Sequence, residues 1–117
     1  MITPEMELLY TTLQTLAPAG VELSRTKNWI AFQVRSPKGI RNAVTVRREG
    51  VSFFTEDQLL LDELKSAGLD WYKILPDVSK SKRRFRFTKL TPENVEKHSE
   101  DFRKLFTESV RLKLFYS

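Results

Sequence analysis

The sequence predicts one α+β domain over residues 1–117: a mostly antiparallel sheet of about six strands, helices packed on one face, in the order α-β-β-β-β-α-β-β-α. Three observations lead there. Strand-like segments come in runs instead of alternating with helices, which points to hairpins and not to parallel crossover units. The apolar period switches from helical spacing to two after Pro18-Ala19-Gly20, and back after Phe54. Most switches fall on Pro, Gly or a capping residue.

The first helix is expected from Pro4 to Ala17. Thr3 stands at the N-cap, Pro4 suits the first turn, and Glu5 and Glu7 favour the positive end of the dipole. Met6, Leu9, Leu13 and Leu16 share one side. Period two then gives strands over Val21 to Arg25, Asn28 to Arg35, Ile40 to Arg48 and Val51 to Phe54. Ser36-Pro37-Lys38-Gly39 and Glu49-Gly50 turn the chain between the later ones.

Thr55-Glu56-Asp57-Gln58 reads as a capping box for a second helix carrying Leu59, Leu60 and Leu64, ending at Ala67 with Gly68 beyond it. Leu69 to Leu75 is a fifth strand, Pro76 to Lys82 a polar loop, Arg83 to Leu90 a sixth strand. Thr91-Pro92-Glu93 starts a last helix with Val95, Phe102, Leu105 and Phe106 on its apolar side. The tail Val110 to Tyr116 fits either the continuation of that helix or, by its alternation, a seventh strand; helix is the preferred reading.

Hydrophobic residues make up 40% of the chain, including eight Phe, which is enough for one core. With no Cys, disulfides, thiolate metal sites and cysteine nucleophiles are excluded. The N-terminus has no basic, apolar leader and no stretch approaches a membrane span, so a cytoplasmic protein is expected. Net charge is +5, from 20 basic and 15 acidic residues. A surplus of that size indicates a polyanionic partner only if it is concentrated on one face.

Alternation supplies such a face. If Ile30, Phe32, Val34, Val44, Val46, Val51, Phe53, Ile74, Phe85 and Phe87 turn toward the helices, the other side shows Trp29, Ala31, Gln33, Arg35, Arg41, Ala43, Thr45, Arg47, Ser52, Phe54, Trp71, Lys73, Arg84, Arg86 and Thr88. Arg35, Arg41, Arg47, Lys73, Arg84 and Arg86 make this side basic, and Lys80, Lys82 and Arg83 extend it at the rim. Arginines grip phosphates with two parallel hydrogen bonds, and Trp29 or Trp71 can stack on a base. The competing reading is a solvated basic sheet, kept charged against edge pairing. A single slip of register would reverse every face.

Chemistry beyond binding finds little purchase. His98 is the lone histidine, within Glu96-Lys97-His98-Ser99-Glu100, so neither a transition-metal site nor a nucleophilic triad is expected. The glycines are scattered at turns and caps and form no phosphate loop. Glu63-Leu64-Lys65 has the spacing of a nuclease site but falls on a helix. No enzymatic activity and no cofactor are expected.

Lys27-Asn28-Trp29-Ile30-Ala31-Phe32, then Gly39-Ile40-Arg41-Asn42, the Val51 to Phe54 strand and the Leu-rich helix ending Ser66-Ala67-Gly68-Leu69 carry a resemblance. From Leu16 to Leu90 the chain resembles the C-terminal double-wing DNA-binding domain of the phage middle-promoter transcription factor MotA. It is also similar to small bacterial domains of unknown function found alone or appended to predicted nucleases and restriction systems. The resemblance implies a phage or bacterial regulator whose DNA surface is the sheet face of Arg35, Arg41, Arg47, Lys73, Arg84 and Arg86. The expected function is therefore non-enzymatic nucleic-acid binding, DNA before RNA. The alternative is a protein-interaction module or homodimer using the apolar side of the last helix, where Val95, Phe102, Leu105, Phe106, Leu112 and Phe115 exceed what one small sheet needs.

Overall fold

A computed structural model describes residues 1–74 and 83–115. In chain order it contains α1 (Pro4–Gln14), β1 (Glu22–Arg25), β2 (Ile30–Ser36), β3 (Gly39–Arg47), β4 (Gly50–Phe54), α2 (Gln58–Ser66), β5 (Trp71–Lys73), β6 (Arg84–Phe87), α3 (Pro92–Lys97) and α4 (Ser99–Phe115). The strands form one six-stranded sheet ordered β1-β2-β3-β4-β6-β5, each neighbouring pair antiparallel. The predicted fold class and element order stand, with one helix more at the C-terminal end.

The helix ends follow capping chemistry. Thr3 accepts the Met6 N–H through its hydroxyl, and Thr91 does the same for Asn94. The second helix starts two residues later than the capping box predicts: Asp57 is its N-cap, accepting the Leu60 N–H at 3.0 Å, while the Thr55 hydroxyl accepts the N–H of Asp57. The single last helix expected from the sequence is two. His98 leaves helical geometry at φ −112, ψ 34, and its carbonyl accepts the first bond of α4, from Phe102 N–H. Glu100 and Asp101 then serve the new N-terminus. The tail is helical through Phe115, which decides against a seventh strand there.

All four helices lie on one face of the sheet. Tyr10 of α1 meets Phe32 at 5.7 Å; Phe102 and Phe106 of α4 pack on Phe53, Phe87 and Phe32. Each of those last five Phe rings is fully buried, and burial of a Phe side chain stabilises by about 1.5–3 kcal/mol. Arg25, beside the edge of this layer, makes two hydrogen bonds to the Glu7 carboxylate and so ties β1 to α1. No described helix is long and apolar enough to cross a membrane.

One irregularity in β3 decides which side chains reach which face. Phe32 pairs with Val44, but Gln33 pairs with Asn42, so Ala43 is an extra residue on β3. Such a bulge reverses the facing of every residue on its far side. It also ends the β3–β4 ladder at Thr45, where the Ser109 hydroxyl of α4 enters between the strands. Glu108, beside it, receives the Thr55 hydroxyl and the Glu56 N–H, anchoring α4 at the β4–α2 junction.

Candidate nucleic-acid interface

The pairing register defines the face without helices. Its central row runs Ser24, Ala31, Thr45, Ser52, Arg86, Tyr72 across all six strands. On one side of this row come Trp29, Arg47 and Gly50; on the other come Gln33, Asn42, Phe54 and Arg84. Ala31, Thr45 and Ser52 are buried, although no helix covers them. They form a floor of small side chains between longer ones.

Each of the three central arginines is held against an aromatic ring. Arg47 lies over Trp29 at 5.4 Å, Arg84 over Phe54 at 5.8 Å and Arg86 over Tyr72 at 5.7 Å. Arg86 also donates from Nη1 to the Tyr72 hydroxyl at 2.7 Å. Stacking of this kind fixes the guanidinium plane and leaves N–H edges available to a ligand. Among the described residues, no carboxylate pairs with any of the three. Burial, then the charges of Arg86 and Arg47, push the pKa of Arg84 below its ordinary value.

The predicted site residues divide. Trp29, Arg35, Arg47, Arg84 and Arg86 are on the helix-free face. Arg35 is there with Glu22 at 3.0 Å, a carboxylate on β1 that alternation alone did not assign to this face. Arg83 sits at the rim, 3.7 Å from Glu56. Lys80 and Lys82 lie outside the described residues.

Three placements are corrected. Arg41 pairs with Val34 and so faces the helix side, because the Ala43 bulge inverts the start of β3; its guanidinium folds back to the carbonyls of Ile40 and Lys38. Trp71 pairs with Phe87, in the apolar row. Its Nε1–H donates to Leu61 C=O at 2.8 Å, its ring stands edge-on to Phe85 at 5.2 Å, and Lys65 Nζ lies 4.2 Å above it. It is a packing residue that carries α2. Lys73 follows it, opposite Phe85, and by the same alternation Ile74 belongs with Tyr72 and not with the core row. Tyr72 is the residue that the sequence did not single out on this face. A clue was present: Asp70, Tyr72 and Ile74 alternate as well as Trp71 and Lys73 do.

The apolar side of the last helices is occupied internally. Val95, Phe102, Leu105, Phe106 and Leu112 are buried in the domain's own core, leaving Phe115 exposed at 74%. His98 lies at the break between α3 and α4, with Asp101 at 3.9 Å, and no cluster of three potential metal ligands exists among the described residues. Compared with protein-family models, curated proteins and solved structures, the chain matches none.

Proposed function

We propose that the domain binds nucleic acid, duplex DNA in the first instance, on its helix-free sheet face and without catalysing a reaction. The observation that carries this reading is the set Arg47, Arg84 and Arg86: three guanidiniums on one face, each braced by a ring, none with a carboxylate partner among the described residues. Holding Arg84 charged costs free energy, first through its burial and then through the neighbouring Arg86 and Arg47 charges, as its depressed pKa expresses. A polyanion offsets that cost. The ring partners add stacking surface, with Trp29 and Tyr72 at opposite flanks of the small-residue floor. The four helices bury their apolar sides against the other face, and at the Phe54–Arg84 end Lys113 of α4 reaches this one, its Nζ 4.0 Å over the Phe54 ring.

Fluorescence anisotropy with labelled duplex and single-stranded DNA and RNA, at about 50 and about 200 mM salt, tests the reading. Three phosphate contacts on duplex DNA give a log–log salt slope of about −2.7, so affinity falls about fortyfold across that range. Arg47→Ala with Arg86→Ala should flatten the slope by about 1.8 while the melting transition is retained. Absence of binding at the lower salt, or an unchanged slope in a folded double variant, would remove the proposal.

A further inference from the structure

Three buried polar atoms on this face have no hydrogen-bond partner: Ser52 Oγ, Arg84 Nε and Arg86 Nε. They belong together. Ser52 pairs directly with Arg86 across β4 and β6, and Arg84 is the next residue of β6 on the same face. Ser52 is 1% exposed, so its hydroxyl is not open to solvent as an ordinary surface group would be. A buried polar atom left without a partner is costly, and structures seldom carry several in one place.

The chemistry of the three leans one way. Both Nε–H groups are donors only, and the Ser52 hydroxyl, which can donate or accept a hydrogen bond, accepts from neither. What the two arginines lack is an acceptor. Tyr72 already takes one terminal nitrogen of Arg86, which leaves its Nε edge for something else. Beside Ser52, Gly50 bears no side chain, and the Arg86 stem lies where one would be: a Cβ there would sit 3.0 Å from Arg86 Cγ. The Arg86 stem thus lies along β4, beside the small-residue floor, while the Arg84 guanidinium lies over Phe54.

We infer that Ser52, Arg84 and Arg86 form a built seat for one oxyanion, a phosphate group, with the hydroxyl and the two Nε edges as donors and Arg47 supplying further positive potential. The seat opens by rotation of the two arginine arms, both of which are part-exposed. Its occupant is a phosphodiester of the nucleic-acid backbone; that choice rests on the function proposed above, whereas the donor set does not. The seat would fix the register of a strand on the face, because one phosphate is held at a defined point while the others meet mobile side chains.

Nitrogen-15 spectra of the arginine Nε–H groups, with Arg84 and Arg86 assigned through Arg84→Lys and Arg86→Lys, read the seat directly in the wild-type chain. The probes are inorganic phosphate and an abasic deoxyribose–phosphate hexamer. Both Nε–H signals should shift and saturate with each probe, the hexamer binding more tightly, and Ser52→Ala should weaken binding about tenfold. Tighter binding of free phosphate than of the hexamer would overturn the strand as occupant. Signals that stay fixed with both probes would overturn the seat, and so would a folded Ser52→Ala that binds like wild type. If those signals stay fixed while anisotropy still reports binding of duplex DNA, the seat falls and the nucleic-acid function stands. Saturable shifts without any duplex binding would leave the seat and remove the nucleic-acid function.

Discussion

The hydroxyl of Ser109, on α4, accepts the backbone N–H of Phe54, on β4, at 2.9 Å. It donates in turn to Ala43 C=O at 2.5 Å. Continuing the register of Thr45 with Ser52, Ala43 and Phe54 would be partners in the ladder. The bulge separates them, and a helix side chain bridges the missing rung. Ser109→Ala leaves one donor and one acceptor unpaired in the core. It should cost about 2–4 kcal/mol in urea denaturation, more than a surface Ser→Ala by an order of magnitude.

Gly50 is bound by an equally local demand. Its φ is +139, and a Cβ there would meet the carbonyl oxygen of Phe87 at 2.1 Å. The clash is with backbone of a paired strand, which cannot turn aside. Gly50→Ala is therefore expected to lose about 2–4 kcal/mol and to lower the melting temperature by about 10 °C, measured by circular dichroism.

The two tryptophans should part company. Trp71→Ala removes a ring packed on Phe85 and a hydrogen bond to α2, so a stability loss of about 3–5 kcal/mol is expected. Trp71→Phe, which keeps most of the packing, should leave DNA affinity as it was. Trp29→Ala takes the brace from Arg47 and a stacking surface from the face; a loss of about 1–3 kcal/mol of binding, with little change in the melting transition, is the outcome that anisotropy should report.

Lys113 gives the pH dependence. Burial, then the neighbouring Arg84 and Arg41 charges, hold its pKa below the ordinary 10.5. In the folded protein it therefore sheds its proton at lower pH than in the unfolded chain. Between those two values the unfolded state binds more protons, so stability rises with pH. Denaturation midpoints followed as pH rises toward the ordinary lysine value of 10.5 should show this rise in the wild type. The contribution should be missing from Lys113→Met; an identical pH profile in the variant would assign the rise to another group.

How far the sequence carried can be seen at single residues. Ile30, Phe32, Val34, Val44, Val46, Val51, Phe53, Phe85 and Phe87 all face the helices as alternation predicts, because strands with one buried face write a period of two into the chain. The same rule failed at Arg41. Nothing in Ile40-Arg41-Asn42-Ala43-Val44 marks an extra residue, since the bulge at Ala43 uses no glycine. It failed again at Trp71-Tyr72-Lys73, where neighbouring aromatics fit either face and a contact with Leu61 in another element decides. The helix break at His98 was hidden for a related reason: Val95 and Phe102 keep helical spacing across it, while packing of α3 and α4 redirects the axis. Arg47, Arg84 and Arg86 were legible on the candidate face; the orphaned Nε donors of Arg84 and Arg86 and the Glu22–Arg35 pair required the fold.

The strand order has a consequence for how the chain is made. β6 lies between β4 and β5 but comes after both in sequence. A nascent chain therefore presents β5 before the strand that it pairs with exists, holding it only by the Trp71 clasp on α2. Until Arg84–Phe87 leaves the ribosome, β4 is an open edge, and α4 comes later still. The meander from β1 to β4 can form as it emerges; the remainder waits for the last third of the chain.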